Sequence, residues 1–291
     1  MSIYRHKIFI VALFLAFVPT TLLLADDETQ FVRVVEDDQD QPLALQLAIT
    51  KYAPRTGGAG IRVDLISAIH IGDSEYYKKL NDRFRIYDAV LYELVAPKDT
   101  VISGPGTERD GVISNTQIMM KNILDLSFQL DEIDYAASNF VHADLTPTEL
   151  SQSMDERGES LYVYFWRLFY ASINQYAKDP LGLKDMQMLS AVLSADSDNA
   201  FKMMLAYEMT DLGTLREILG EDADSAVIGA RNQRAVDVLK NQLNAGATRI
   251  AIFYGVAHMP DMEKRIIDQL DLVYLDTTWV DAWRLSTHAD K

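Results

Sequence analysis

Residues 61–95 read IRVDLISAIHIGDSEYYKKLNDRFRIYDAVLYELV. The run from Ile61 to Ile69 is apolar and rich in β-branched residues, which predicts a buried strand. Asp73 to Phe84 predicts a helix, with Asp73 or Ser74 as its cap. Ala89 to Val95 predicts a second buried strand, ended by Pro97. Strand, helix and strand at this spacing predict a right-handed parallel crossover. Upstream, Phe31 to Val35 reads as an edge strand, Leu43 to Ala53 as a strand, and Thr56 to Gly60 as a turn. Downstream, residues 98–111 read as a loop, and about 112–246 reads as helical, with breaks near Asp144–Pro147, Arg157-Gly158, Asp179-Pro180 and Gly220. The sheet then resumes: strand at Arg249 to Tyr254, helix at Met259 to Gln269, strand at Leu272 to Leu275. The expected class is α/β, a mostly parallel central sheet with a large helical insertion between its two halves; α+β is the alternative.

The chain has 291 residues and a net charge of −16. A surface of that sign repels a phosphate backbone and argues against nucleic-acid binding. Arg5, His6 and Lys7 precede an uncharged run from Ile8 to Leu24, and Ala25 closes it before an acidic stretch. Basic, apolar, then small is the order of a secretory leader. We therefore expect residues 1–25 to be a signal peptide and 26–291 an exported α/β domain, membrane-anchored only if the leader is retained. There is no cysteine, which excludes thiolate metal sites and cysteine nucleophiles; any metal must be held by histidine and carboxylate.

Two strand ends far apart in the chain look alike. One reads Ser67-Ala68-Ile69-His70-Ile71-Gly72-Asp73, the other Gly255-Val256-Ala257-His258-Met259-Pro260-Asp261. Each is an apolar strand, small residues, a histidine, an aspartate three positions on, then a helix. Ligands bind beyond the carboxyl ends of parallel strands, so His70 and His258 are candidate site residues. Asp73 and Asp261 are expected to cap the helices that follow. Glu93, near the end of the next strand, requires a metal ion or an arginine to pair with it. Arg231 shares a helix face with Val227 and Val238 and needs a partner inside. Arg234, on the same face, is expected to reach the surface, and Asn232 to orient a ligand or sit near the helix start. His142 falls in an expected loop and has no role in this set. The aromatic stretch Tyr162 to Tyr170 and the cluster Met203, Met204, Leu205 and Met209 read as helix-packing core.

This ordered set resembles the TraB/PrgY/GumN family, which includes TIKI-like proteases and is related to the erythromycin-esterase and ChaN-like superfamily. The resemblance rests on His70, Glu93, the pair Arg231 and Asn232, and the Gly255 to His258 motif; Ser67 stands where the family usually has glycine. It implies a divalent-metal-dependent hydrolase of the peptidase kind acting outside the cytoplasm on a peptide or a small amide or ester. In that reading His70, His258 and Glu93 hold Mn, Co or Zn, Glu93 alternatively serving as general base. Arg231 stabilises the oxyanion, and Asn232 positions the substrate. The rival expectation is a non-catalytic extracytoplasmic protein binding a peptide or a haem-like ligand. Oligomeric state is not legible.

Overall fold

The computed structural model describes residues 29–57, 60–97, 100, 126–160, 197–210 and 225–285. The expected leader, nearly all of the 98–111 loop, the aromatic stretch at Tyr162 to Tyr170, and the breaks at Asp179-Pro180 and Gly220 lie outside them. Among the described residues no helix is long and apolar enough to cross a membrane.

The two strands that carry the histidine motifs lie side by side. β3 (Arg62–Ala68) and β8 (Arg249–Gly255) pair in parallel, Arg62 opposite Arg249 through to Ala68 opposite Gly255. Beyond its first residue β3 is buried throughout, and β8 is buried up to Gly255. Such two-sided burial accounts for sequence runs that are nearly all apolar. The one charged interruption, Asp64, accepts a hydrogen bond from Tyr87 Oη at 2.6 Å and faces Arg83 at 3.4 Å.

The rest of the sheet grows from this pair. β8 also pairs in parallel with β5 (Ala89–Tyr92), so the crossover from β3 through α1 (Ser74–Phe84) to β5 skips over β8 rather than joining neighbours. On the other side β3 is antiparallel to β2 (Pro42–Pro54), and β2 to β1 (Val32–Glu36). The order is β1-β2-β3-β8-β5-β7, where β7 is Phe140–His142, with β9 (Leu272–Arg284) also paired to β2. The mixed α/β class is as expected.

Two expectations are corrected. β7 (Phe140–His142) is a strand, parallel to β5, inside the stretch read as helical. Three residues carry too little period to be read as strand. A two-residue strand, β6 (Ser127–Phe128), lies in the same stretch and pairs with β4 (Ile71–Gly72), just after His70. The helices described in that stretch are α2 (Gln129–Glu132), α3 (Pro147–Glu156), α4 (Ser197–Thr210), a π-helical turn (Ala226–Ala230) and α5 (Arg231–Asn244). The last strand is also much longer than Leu272 to Leu275, because β9 runs antiparallel along almost all of β2.

The helices pack by their apolar faces. On α1, Tyr76, Tyr77, Leu80 and Phe84 are buried. Their burial carries two hydroxyls inside, and both find strand-end carbonyls: Tyr76 Oη donates to Ser67 O and Tyr77 Oη to Ile69 O, each at 2.9 Å. Met203, Leu205 and Met209 of α4 pack against the core, the expected role of that cluster. α6 (Met259–Leu270) buries Met259, Met262 and Ile266. It ends at Asp271 in the left-handed conformation, φ 51°, one of the few types besides glycine that tolerates it.

Candidate functional site

The carboxyl ends of β3, β8, β5 and β7 converge on one polar cluster. Glu93 follows β5 directly and is anchored through its backbone, its N–H donating to Phe253 O of β8 at 3.3 Å. Its carboxylate spans two elements. Gly255 N–H donates to Oε2 at 2.7 Å, and Arg231 Nη2 donates to Oε1 at 2.6 Å. A Cβ on Gly255 would stand 3.2 Å from Glu93 Oε2. Its φ is negative, so glycine is needed here for the close approach and not for its backbone freedom.

Arg231 opens α5 straight after the π-helical turn, a local widening of the helix often found at functional sites. It is only 9% exposed and is held by a residue that sequence reasoning missed. Asp144 lies two positions past the end of β7 and is fully buried. It accepts from Arg231 Nε at 2.9 Å and from Nη2 at 2.7 Å. The bidentate clamp fixes the guanidinium plane and leaves Nη1 as the least committed nitrogen, 3.5 Å from His258 Nε2. Asp144 was hidden because β7 was unread: with no strand before it, the residue looked like part of a loop.

His258 closes the short 3₁₀ turn after β8 and is buried. Its Nδ1 lies 2.7 Å from Asn232 Oδ1. The amide nitrogen of Asn232 donates to His258 O at 3.0 Å and to Asp261 Oδ2 at 2.8 Å. Both partners can only accept, so nitrogen must face them and Oδ1 must face the ring. Nδ1 therefore carries the proton, and the lone pair of the neutral ring sits on Nε2, which points toward Arg231 Nη1 and Glu93 Oε1, the latter at 3.6 Å.

Burial opposes an ionised Glu93, yet the charges of His258 and Arg231, the Gly255 N–H and the charge of His70 outweigh it and hold the carboxyl at about 2. Burial likewise pushes His258 below its ordinary value, and Arg231 adds to this against the pull of Glu93, Asp144 and Asp261. At neutral pH the imidazole is neutral, so the permanent charge of Arg231, itself pinned by Asp144 and Glu93 against its burial, keeps Glu93 ionised.

His70 differs from its counterpart. It follows β3 as expected, but it is exposed, and it bears on Glu93 through its charge, without a direct hydrogen bond or ion pair between them. Its backbone oxygen accepts from Gln129 N at 2.9 Å. Ser67 is buried, and its hydroxyl has no hydrogen-bond partner among the described residues. His142 Nε2 sits 2.7 Å from Leu94 O, a contact that ties β7 to the segment after Glu93. Arg234 does not simply reach for water; its Nη2 donates to Glu149 Oε1 at 2.8 Å. The expected caps are corrected too. Neither Asp73 nor Asp261 caps its helix through its side chain. Asp73 instead accepts from Lys202 Nζ at 3.2 Å and Arg284 N at 2.7 Å, tying α4 and β9 to the loop after His70.

The donors are of the right type for a divalent ion, and the orientation of His258 through Nδ1 is that of many metal-ligating histidines. Their placement is less favourable. Arg231 stands within 3.5 Å of His258 Nε2 and 2.6 Å of Glu93 Oε1, so an ion shared by those atoms would meet a guanidinium at contact distance. Among the described residues no group of three or more histidines and carboxylates is disposed to hold a metal ion. As arranged, these side chains suit acid–base and electrostatic chemistry better than ligation. No family model matches the chain, and no curated protein matches it.

Proposed function

We propose that this chain is a hydrolase acting outside the cytoplasm on peptide or small amide or ester bonds, in keeping with its resemblance to the TraB/PrgY/GumN family. One observation carries the reading: a buried neutral imidazole, its tautomer set by Asn232, presents the Nε2 lone pair beside Glu93 and the free edge of Arg231. That is the arrangement of a general base next to an anion-stabilising group.

In the reaction, His258 Nε2 takes a proton from water, and the hydroxide attacks the substrate carbonyl carbon. The carbonyl π pair moves to oxygen, and Arg231 Nη1 donates to the oxyanion. When the tetrahedral intermediate collapses, the carbon–nitrogen or carbon–oxygen bond breaks and the imidazolium returns its proton to the leaving group. Glu93, ionised throughout, stabilises the imidazolium and holds Arg231. Exposed His70, just past the end of β3, would meet the substrate first.

The reaction so written runs on side chains alone. The metal-dependent version, with Mn, Co or Zn on His70, His258 and Glu93, would require Arg231 to withdraw from Glu93. Turnover of a peptide library, with and without chelator and with each metal restored, decides between them. Under either version His258→Ala abolishes turnover in a folded protein, and wild-type rates in that variant would overturn the proposal. Peptide binding with no turnover under any metal would favour the non-catalytic binding protein.

A further inference from the structure

Asp261 is the residue that the likeness between the two histidine motifs singles out and that the proposed reaction does not use. It lies in the first turn of α6 yet makes no cap bond. Its Oδ2 instead accepts from Asn232 Nδ2 at 2.8 Å and from Arg265 Nε at 2.6 Å. Arg265 is held in turn by Gln233, whose Oε1 accepts from its Nη1 at 2.7 Å. The result is a continuous chain, Arg265 to Asp261 to Asn232 to His258 Nδ1, leading from the flank of α6 to the ring.

We infer that Asp261 is a positioning residue that, through the Asn232 amide, fixes which nitrogen of His258 carries the proton. The reasoning is one of donors and acceptors. An asparagine amide can present either end to an imidazole, and the two ends select opposite tautomers. With nitrogen facing the ring, Nδ1 would have to accept, the proton would move to Nε2, and no lone pair would remain at the site. Swapping the amide would also turn its oxygen against Asp261 and against His258 O. The carboxylate partner makes the stronger objection, because bonds to ionised acceptors are about twice as strong as neutral ones. Arg265 Nε, 2.6 Å from Oδ2, keeps that carboxylate aimed at Asn232. Asp73 has no such role: it sits at the same distance from His70 but binds Lys202 and the Arg284 backbone, and His70 is exposed. The two motifs are alike in sequence and divergent in use, and only the second is built to hold a ring in one tautomer.

The catalytic consequence rests on the hydrolase reading, whereas the tautomer does not, so the test reads both. The full-length protein is labelled with 15N-histidine, the His258 resonances are assigned with His258→Gln, and spectra are taken at about pH 8, where an ordinary histidine is neutral. Wild type shows a protonated Nδ1 and a lone-pair Nε2. Asp261→Ala and Asp261→Ser, the latter polar but too short to reach Asn232, shift both signals toward the averaged values of a mixed population. Asp261→Asn, whose amide oxygen still accepts from Asn232, restores the wild-type signature. In the hydrolysis assay Ala and Ser lower kcat on the order of 10-fold, as loss of a histidine's supporting partner commonly does, with KM unchanged. A wild-type 15N signature in both the Ala and Ser variants, with only a lower Tm, would reduce Asp261 to a favourable charge at a helix start and overturn the inference. Absence of turnover in wild type would sink the hydrolase reading alone, since the 15N result still decides the tautomer.

Discussion

Gly255 and Glu93 show how little tolerance the site has at the level of single atoms. Alanine at 255 suits the local backbone, so its effect should come only from the Cβ pressed to 3.2 Å from Glu93 Oε2 and 3.8 Å from His258 Cδ2. We expect Gly255→Ala to lower stability by about 1 kcal/mol, the lower end of overpacking costs, while kcat of the proposed hydrolysis falls several-fold, because the 3.2 Å contact pushes the Glu93 carboxylate out of place and misplacement slows catalysis. Thermal melts and steady-state kinetics check the pair of values, and a variant with unchanged kcat would show that the carboxylate position is not critical. Glu93 also leaves a signature in acid. Its folded pKa is depressed from 4.5 to about 2, so the ionised form stabilises the native state above the ordinary carboxylate range, and that contribution is lost as pH falls through the folded value. Urea unfolding of wild type and Glu93→Gln across pH 7 to about 2 should give curves that differ most at neutral pH and converge between about 4.5 and 2. Glu149 is held low in the same range by the Thr146 backbone N–H and by Arg234, but it titrates in both proteins and cancels in the difference.

The elements carry those residues with unequal legibility. β3, β8, β5, α1 and α6 could be read because each has a long, strong period: continuous apolar runs for the central strands, recurrent burial of Tyr76, Tyr77, Leu80 and Phe84 for α1. With them came His70, Glu93 and His258, while Arg231 and Asn232 came with α5, inside the stretch read as helical. What could not be read depends on pairing across the chain. β7 has three residues and no pattern of its own, so Asp144 behind it was invisible. Nothing local in β9 reveals that it follows β2 for most of its 13 residues. The roles of Asp73 and Asp261 were mistaken because a short acid at a helix start usually caps it, and here long-range partners outbid the local bond. A real cap does exist at α3. Thr146 Oγ1 accepts from Glu149 N at 3.2 Å, and Glu149 Oε2 accepts from Thr146 N at 2.8 Å, with Pro147 leading the helix. Thr146→Ala should therefore lower stability by about 1 kcal/mol in urea titrations. Turnover should stay near wild type, because Asp144 is anchored by Arg231 and not by this cap. A loss of turnover larger than the loss of stability would show that α3 itself sets the Asp144 position.

At the scale of the whole molecule the dominant fact is charge. The chain carries −16, and the site does not reverse that sign: the three carboxylates of Glu93, Asp144 and Asp261 are ion-paired with two guanidinium groups, those of Arg231 and Arg265. A substrate approaching the strand ends therefore moves through a negative potential almost until contact. If the proposed peptide hydrolysis holds, this field should act as a filter on encounter. Peptides flanked by lysine should be concentrated near the site and those flanked by glutamate depleted, with a difference in kcat/KM of about 10-fold or more at low salt. The field reaches roughly 30 Å at 0.01 M ionic strength and only about 3 Å at 1 M, so the ratio of the two kcat/KM values should fall toward unity as salt is raised. kcat should not follow it, because once the scissile carbonyl lies beside Arg231 Nη1 the flanking charges have already made their contribution to binding. Paired assays of a lysine-flanked and a glutamate-flanked version of one cleaved peptide, across that salt range, test the argument. A preference that persisted undiminished at high salt would have to come from direct contact with a charged side chain, and the long-range field would then have no part in selecting substrates.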